Sequence, residues 1–269
     1  MSGHDSAFYW FPRITGAGIG NGILVPKTEI VTLVTGSAWA AVGDGGKEKE
    51  AALMESCRRV NEAAARIGFP VFIKTDLSSA KHRGVKEMKA EGPEDIARLV
   101  SSVLEDNLCK DLFPEGIMVR EWLKVSSEFS AFSGLPIGRE WRVFATKDEV
   151  LCQHPYWPKE AIRFHKMKIG NRIVDQTPNG WEEKLEEMQR CRLPESTLNT
   201  AMTAVESCPA AKAWSVDFAL AASRGSSMRW YLIDMADARH SEHLRAWPEC
   251  KVPSRFPDAF DDDRTGLNP

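Results

Sequence analysis

The sequence predicts a two-lobed α+β fold with antiparallel sheets, and three observations carry that expectation. The order of its strand-like and helical stretches suits separate sheets with helices packed on them. Two pairs of strands are joined by short polar turns, Thr146-Lys-Asp-Glu149 and Ser223-Arg-Gly225-Ser-Ser227, which is the pattern of antiparallel hairpins. The chain is also long enough for two lobes, with 269 residues of which 43% are hydrophobic.

Taken in order, Ile23 to Thr35 is rich in β-branched residues and reads as one or two strands, with Pro26 keeping the first piece short or at an edge. Residues 47 to 67 place Leu53, Cys57, Val60, Ala64 and Ile67 three and four apart, so an amphipathic helix is expected there, stopped by Gly68. Phe69-Pro-Val-Phe-Ile-Lys74 is a short buried strand that ends in a lysine. A second helix over 93 to 107 has Pro93 in its first turn and Ile96, Leu99, Val100 and Val103 on its core face. Strands return at Ile117 to Leu123, Arg139 to Ala145 and Glu149 to His154. Helices follow at about 181 to 191 and 194 to 207. Two strands, Val216 to Leu220 and Trp230 to Met235, close the folded part, and the run beyond Pro253 is expected to be a loose or surface-wrapped tail. The organisation expected is an N-terminal region and first lobe over 1–120, a second lobe over 121–253 and a tail over 254–269.

Composition narrows the function classes. A net charge of -3 argues against a surface built for general nucleic-acid binding. The six cysteines form no CxxC pair and read as free or buried thiols in a reducing compartment. No apolar run approaches the 18 residues of a membrane span, and the N-terminus lacks the apolar core of a signal peptide. A cytoplasmic protein is expected.

The chemistry is concentrated in the last two strands. Asp217 and Asp234 each interrupt an apolar run, and the hairpin between the runs places them on neighbouring strands. Two carboxylates about 4 Å apart repel by roughly 4 kcal/mol at an effective dielectric of 20, so the pair calls for a cation, a shared proton or basic neighbours. Oxygen ligands without a cysteine or histidine pair favour magnesium or manganese over zinc. The alternative is that one acid caps a turn while the other pairs with Arg229 or Arg239. Upstream, Lys74 ends a rigid strand and leads into a small polar loop with Ser78, Ser79 and Lys81, which suits the neutralising of phosphate charge. The competing reading is a snorkelling lysine and a solvated loop. In Arg139-Glu140-Trp141-Arg142, Glu140 and Arg142 project from one face of a strand, either as an exposed ion pair or with Arg142 on a phosphate. Glu121 stands where two lobes would join, and Trp122 and Trp157 are candidate pocket walls. Two motifs are set aside. Gly16-Ala-Gly18-Ile-Gly20-Asn-Gly22 lacks the strand-turn-helix context of a dinucleotide loop and reads as a flexible loop. His240-Ser-Glu-His243 lacks the spacing of a zinc site and reads as a solvated turn.

Together, Gly68-Phe-Pro-Val-Phe-Ile-Lys74, the loop through Lys81, the strand to Glu121-Trp-Leu123, Arg139-Glu-Trp-Arg-Val-Phe, Val216-Asp217-Phe and Leu232-Ile-Asp234-Met-Ala-Asp237 resemble, in order and spacing, the ATP-grasp superfamily. The run from Glu128-Phe-Ser-Ala-Phe to His154-Pro-Tyr-Trp-Pro resembles a branch common in bacteria and phages. The resemblance implies a nucleotide clasped between two α+β lobes, with Lys74, Lys81 and Lys27 on phosphates and Glu121, Trp122 and Leu123 on adenine and ribose. It implies Asp217 and Asp234 as ligands of Mg2+, or Mn2+. The family's last motif often reads Glu-x-Asn; here Asp234-Met-Ala236 departs from it, and Asp237 is the candidate for the missing ligand. The reaction implied is ATP-dependent joining of a carboxylate to an amine or thiol through an acyl phosphate. Arg142 and Lys81 are its catalytic candidates, and Arg139 and His154 hold the substrate. The acceptor is a small molecule or peptide with a carboxylate and an amine, and a protein partner is left open. The alternative is an assembly or regulatory factor that binds nucleotide without ligating, as in the translation-initiation-factor assembly branch. No separate substrate domain is evident, so recognition falls to residues before 47, to 155–180 or to a partner.

Overall fold

Two antiparallel sheets, each apolar on one face, divide this chain. The computed structural model describes residues 5–43, 46–78, 84–163, 166–169, 172–175 and 177–241. The elements of the first half are α1 (Ala7–Asn21), β1 (Thr28–Thr32), α2 (Ser37–Ala41), α3 (Lys47–Ile67), β2 (Val71–Thr75), β3 (Lys89–Ala90), α4 (Ile96–Leu108) and β4 (Gly116–Glu121). The sheet of this first lobe runs β1-β4-β2-β3, with every pairing antiparallel. Side chains alternate along a strand. Val71 and Ile73 of β2, with Ile117 and Val119 of β4, therefore face one way and pack against Val60 and Ala64 of α3 and Leu99 and Val103 of α4. The other face carries Phe72, Lys74, Met118 and Arg120. Helix α3 stops where expected: Gly68 takes φ 93°, a conformation glycine adopts without strain, and returns its N–H to the Ala64 carbonyl.

The second half contains β5 (Lys124–Val125), β6 (Ser127–Ala131), β7 (Leu135–Gly138), β8 (Glu140–Ala145), β9 (Val150–Pro155), α5 (Lys159–Arg163), β10 (Lys166–Ile169), β11 (Arg172–Asp175), α6 (Trp181–Gln189), α7 (Glu195–Glu206), β12 (Trp214–Ala222) and β13 (Arg229–Asp237). Its main sheet runs β13-β12-β8-β9, with β5 on β12. Val143, Val216, Phe218, Leu232 and Met235 form the covered face, under Ala201 and Ala204 of α7. The hairpins β6–β7 and β10–β11 stand apart as two-stranded sheets, and Phe129 and Ile137 of the first pack with Trp157, Trp181 and Leu185.

Two expectations are corrected here. The glycine-rich stretch after Pro12 is not a loop: α1 runs through it, and Ser6 caps the helix by accepting the Phe8 N–H. Ala7, Trp10 and Ile14 are fully buried against Trp214 and Cys208, and this packing outweighs the poor helix propensity of proline and glycine. Helix α1 thus lies in the core of the second lobe, although it precedes the first in sequence. The thiols also differ from the uniform expectation. Cys57, Cys109, Cys191 and Cys208 are free, but Cys152 is in a disulfide. Burial pushes the Cys208 thiol up to about 12. The expected tail over 254–269 lies outside the described residues. No described helix is long and apolar enough to cross a membrane.

Candidate nucleotide-binding cleft

Between the lobes lies a cleft open to solvent. Its walls are largely apolar, with Phe72 and Met88 on one side, Leu135 and Ile233 on the other and Trp122 and Leu123 at the connection between lobes. Its polar end is formed by Lys74, Arg120, Glu140 and Asp234. Strand alternation produces this mixture. Phe72, Lys74 and Arg120 share the face of the first sheet opposite its helices, and Glu140 lies on the face of β8 opposite α7.

The acids expected as a pair are neighbours. Asp217 and Asp234 are register partners on β12 and β13, and Arg142 is the register partner of Asp217 on β8. Their repulsion is relieved by side chains of the protein. Lys74 donates its Nζ to Asp234 Oδ2 at 2.7 Å, from a position only 2% exposed. Arg142 holds Asp217 with a two-pronged fork, Nε to Oδ1 at 2.7 Å and Nη2 to Oδ2 at 2.8 Å. Burial works against the Arg142 charge, but the attraction and hydrogen bonds of Asp217 outweigh it and hold the guanidinium well above its usual range. Arg142 also lies over the Tyr156 ring, 5.0 Å from its centre. Glu140 is buried, so this face does not carry the solvent-facing pair expected as an alternative; Arg142 forms a part-buried pair with Asp217.

Glu121 ties the hinge together. Its Oε1 accepts the Lys27 N–H at 2.8 Å and its Oε2 accepts the Ser223 hydroxyl at 2.6 Å, so its carboxylate joins β1 to the β12–β13 turn. The ring of Trp122 faces Phe72 at 6.4 Å and carries the Lys89 ammonium at 5.0 Å.

Several expected residues are not brought to this cleft. Asp237 lies three residues past Asp234 on β13 and so on the opposite face; its carboxylate binds the Arg239 side chain at 2.6 Å and caps the Arg239 N–H. That is the turn-capping, arginine-pairing alternative, realised at Asp237. Lys27 is exposed and sends its Nζ to the Arg66 carbonyl in the last turn of α3, 2.8 Å away. Arg139, just before β8, lines a small separate pocket with Trp141 and with Leu185, Met188 and Gln189 of α6. His154 pairs in register with Arg142, is buried and has Nδ1 2.8 Å from the Pro155 carbonyl oxygen. His240 is exposed in the turn after β13, as expected, and its Nδ1 lies 2.6 Å from Oδ2 of the buried Asp5. Lys81, Ser79 and His243 lie outside the described residues.

Arg120 is a cleft residue that the strand patterns did not single out. Arg120 is fully enclosed, which lowers its pKa, while the nearby charges of Asp234 and Glu121 counter that effect. A charged residue inside the apolar run Ile117-Met-Val was the available signal, and the adjacent Glu121 overshadowed it.

Among the described residues, no group of three or more His, Cys, Asp and Glu side chains is arranged to hold a metal ion. The donor set nevertheless suits magnesium arriving with phosphates. Magnesium commonly uses one or two carboxylates with phosphate oxygens and water, and Asp217 and Asp234 supply two hard oxygen donors on one face.

No protein-family model and no curated protein sequence matches the chain. Solved structures do. C-terminally truncated Cdc123 from Schizosaccharomyces pombe superposes with a TM-score of 0.55 at 13% identity, over 93% of this chain and 90% of that one. Cdc123 from the same organism gives 0.53 at 14% identity, over 91% and 90%. The ATP-grasp ligase PsnB with a minimal precursor is a looser match, 0.45 at 12% identity, and this chain spans 60% of its length. At these identities the Cdc123 likeness shows the fold alone, an α+β architecture shared over nine-tenths of both chains.

Proposed function

We propose that the cleft binds ATP with magnesium and that the protein is a ligase of the carboxylate-amine or carboxylate-thiol type, of the ATP-grasp kind that its motifs resemble. The observation that supports this reading most is the layout of the cleft: an apolar slot past Trp122 and Leu123 opens on Lys74 and Asp234, with Asp217 and Arg142 next in the same sheet. The slot suits an aromatic base. The polar end suits a polyphosphate.

In this reading Glu121 orients the ribose, and Lys74 exchanges Asp234 for phosphate oxygens. Asp217 and Asp234 are the carboxylates that hold magnesium, which when bound neutralises phosphate charge and aligns the transferred group. Lys81 is the second phosphate cation. The acceptor's carboxylate oxygen attacks the terminal phosphorus, ADP leaves, and an amine or thiol then displaces phosphate from the acyl phosphate. Arg142 stands where its fork can bind that acyl phosphate. The acceptor is a small molecule or peptide carrying a carboxylate and an amine.

The test is Arg142→Lys. Lysine keeps the charge but not the fork, so ATP affinity by titration is expected to stay within a few-fold, while phosphate release stimulated by a pool of amino acids and peptides falls by about 100-fold. Unchanged turnover in an active preparation removes Arg142 from the catalytic set.

One observation favours a second reading, an assembly or regulatory factor that binds nucleotide without ligating. Both acids already have a protein cation, and Ala236 stands where the resemblance expects an asparagine. Such a protein has no transition state to stabilise. No acceptor would then stimulate phosphate release, and Arg142→Lys would alter a partner's affinity instead.

A further inference from the structure

The acid at position 234 reaches the cleft only because β13 is irregular. Phe218 pairs with Leu232 but Asp217 pairs with Asp234, so Ile233 is an extra residue with no counterpart on β12. Leu232 is buried in the core of the second lobe. In a regular strand Asp234, two residues on, would point into that same core. The extra residue reverses the alternation, so that Ile233 and Asp234 both line the cleft and Met235 returns to the core.

A bulge leaves backbone groups outside the ladder, and here the Ile233 carbonyl oxygen is taken by the other lobe. Arg120 Nη1 donates to it at 2.5 Å, and the same guanidinium is steadied by Nε donating to Thr28 Oγ1 at 3.3 Å. We propose that Arg120 is a positioning residue for the metal-binding acid: by satisfying the Ile233 carbonyl from the first lobe, it holds the bulge that turns Asp234 into the cleft. The proposal rests on the ATP–magnesium reading for its consequence in binding, but not for its structural content. Without the guanidinium, a part-buried carbonyl loses its donor and the bulge is no longer favoured over slipped pairings.

The experiment compares the wild type with Arg120→Met and Arg120→Lys, the second retaining one donor in case the first does not fold. The first measurement is ATP affinity with magnesium divided by ATP affinity in chelator. In Arg120→Met this ratio is expected to fall by about tenfold or more, the loss of roughly one charged hydrogen bond, with adenosine affinity little changed and Arg120→Lys intermediate. A merely structural role would weaken all three ligands together. The second measurement is amide hydrogen exchange of unliganded protein, expected to accelerate at residues 232–235 while Val143 at the centre of β8 keeps its protection. A ratio and a β13 exchange rate both unchanged in folded Arg120→Met overturn the proposal. If the wild type binds nucleotide equally with and without magnesium, the functional reading fails instead, and hydrogen exchange alone decides the role of Arg120.

Discussion

Lys74 is a lysine almost wholly withdrawn from water at the end of a strand whose other face is pure core, and its ammonium rests on a partly exposed carboxylate. Holding such a charge in place is costly unless it serves a ligand or a partner. If it meets phosphates in the bound state, Lys74→Ala is expected to weaken ATP by about 1.5 to 3 kcal/mol while leaving adenosine nearly unaffected. Parallel titrations check this, and equal losses for both ligands would make Lys74 structural. Single residues of this kind were readable because each breaks an apolar run: Lys74 ends one, and Asp217 and Asp234 interrupt two. Arg120 obeyed the same rule but has its partner carbonyl 113 positions away, in a bulge that no local pattern announces. Asp237 misled for the complementary reason. Counted along the sequence it is a third acid, but alternation sends it to the opposite face, where Arg239 takes it.

Among elements, the β12–β13 hairpin carries both acids, and β2 and β8 carry the cations that neutralise them. This closed charge pattern has a consequence for order of binding. Magnesium alone would have to displace Lys74 and Arg142 from their carboxylates without phosphates to receive those cations. Titration with Mg2+ or Mn2+ and no nucleotide is therefore expected to show no saturable site below about millimolar concentration, and a non-hydrolysable ATP analogue should create one. Tight binding of the bare metal would contradict the ion pairs as they stand. Legibility at this scale followed periodicity. Helix α3 spans residues 47 to 67 as expected, because its apolar residues recur at three and four and a glycine ends it. Helix α1 was hidden by Pro12 and its glycines, and β6–β7 by Ser-Glu-Phe-Ser-Ala, which is too polar and too short to stand out.

For the whole molecule, the N-terminal residues act as a clamp across both lobes. Ser6 donates its hydroxyl to Asp76 at the root of the loop after β2, while the buried Asp5 accepts the Asp237 N–H and lies against His240. Asp5→Ala would leave the Asp237 N–H buried and unpaired. A loss of about 1 to 3 kcal/mol in unfolding free energy is expected, measured by urea titration, and an unchanged midpoint would show the clamp to be idle. Behind that clamp, Tyr9 reaches Ala210 across 201 positions of sequence, and α1 completes a core whose other buried residues, Met118 apart, all come from Trp141 onward. A chain emerging from the ribosome releases this helix well before the strands it covers. The sheet and helices of residues 28–121 can close on themselves in the interval, whereas α1 must wait, its apolar side unburied, until β12 arrives.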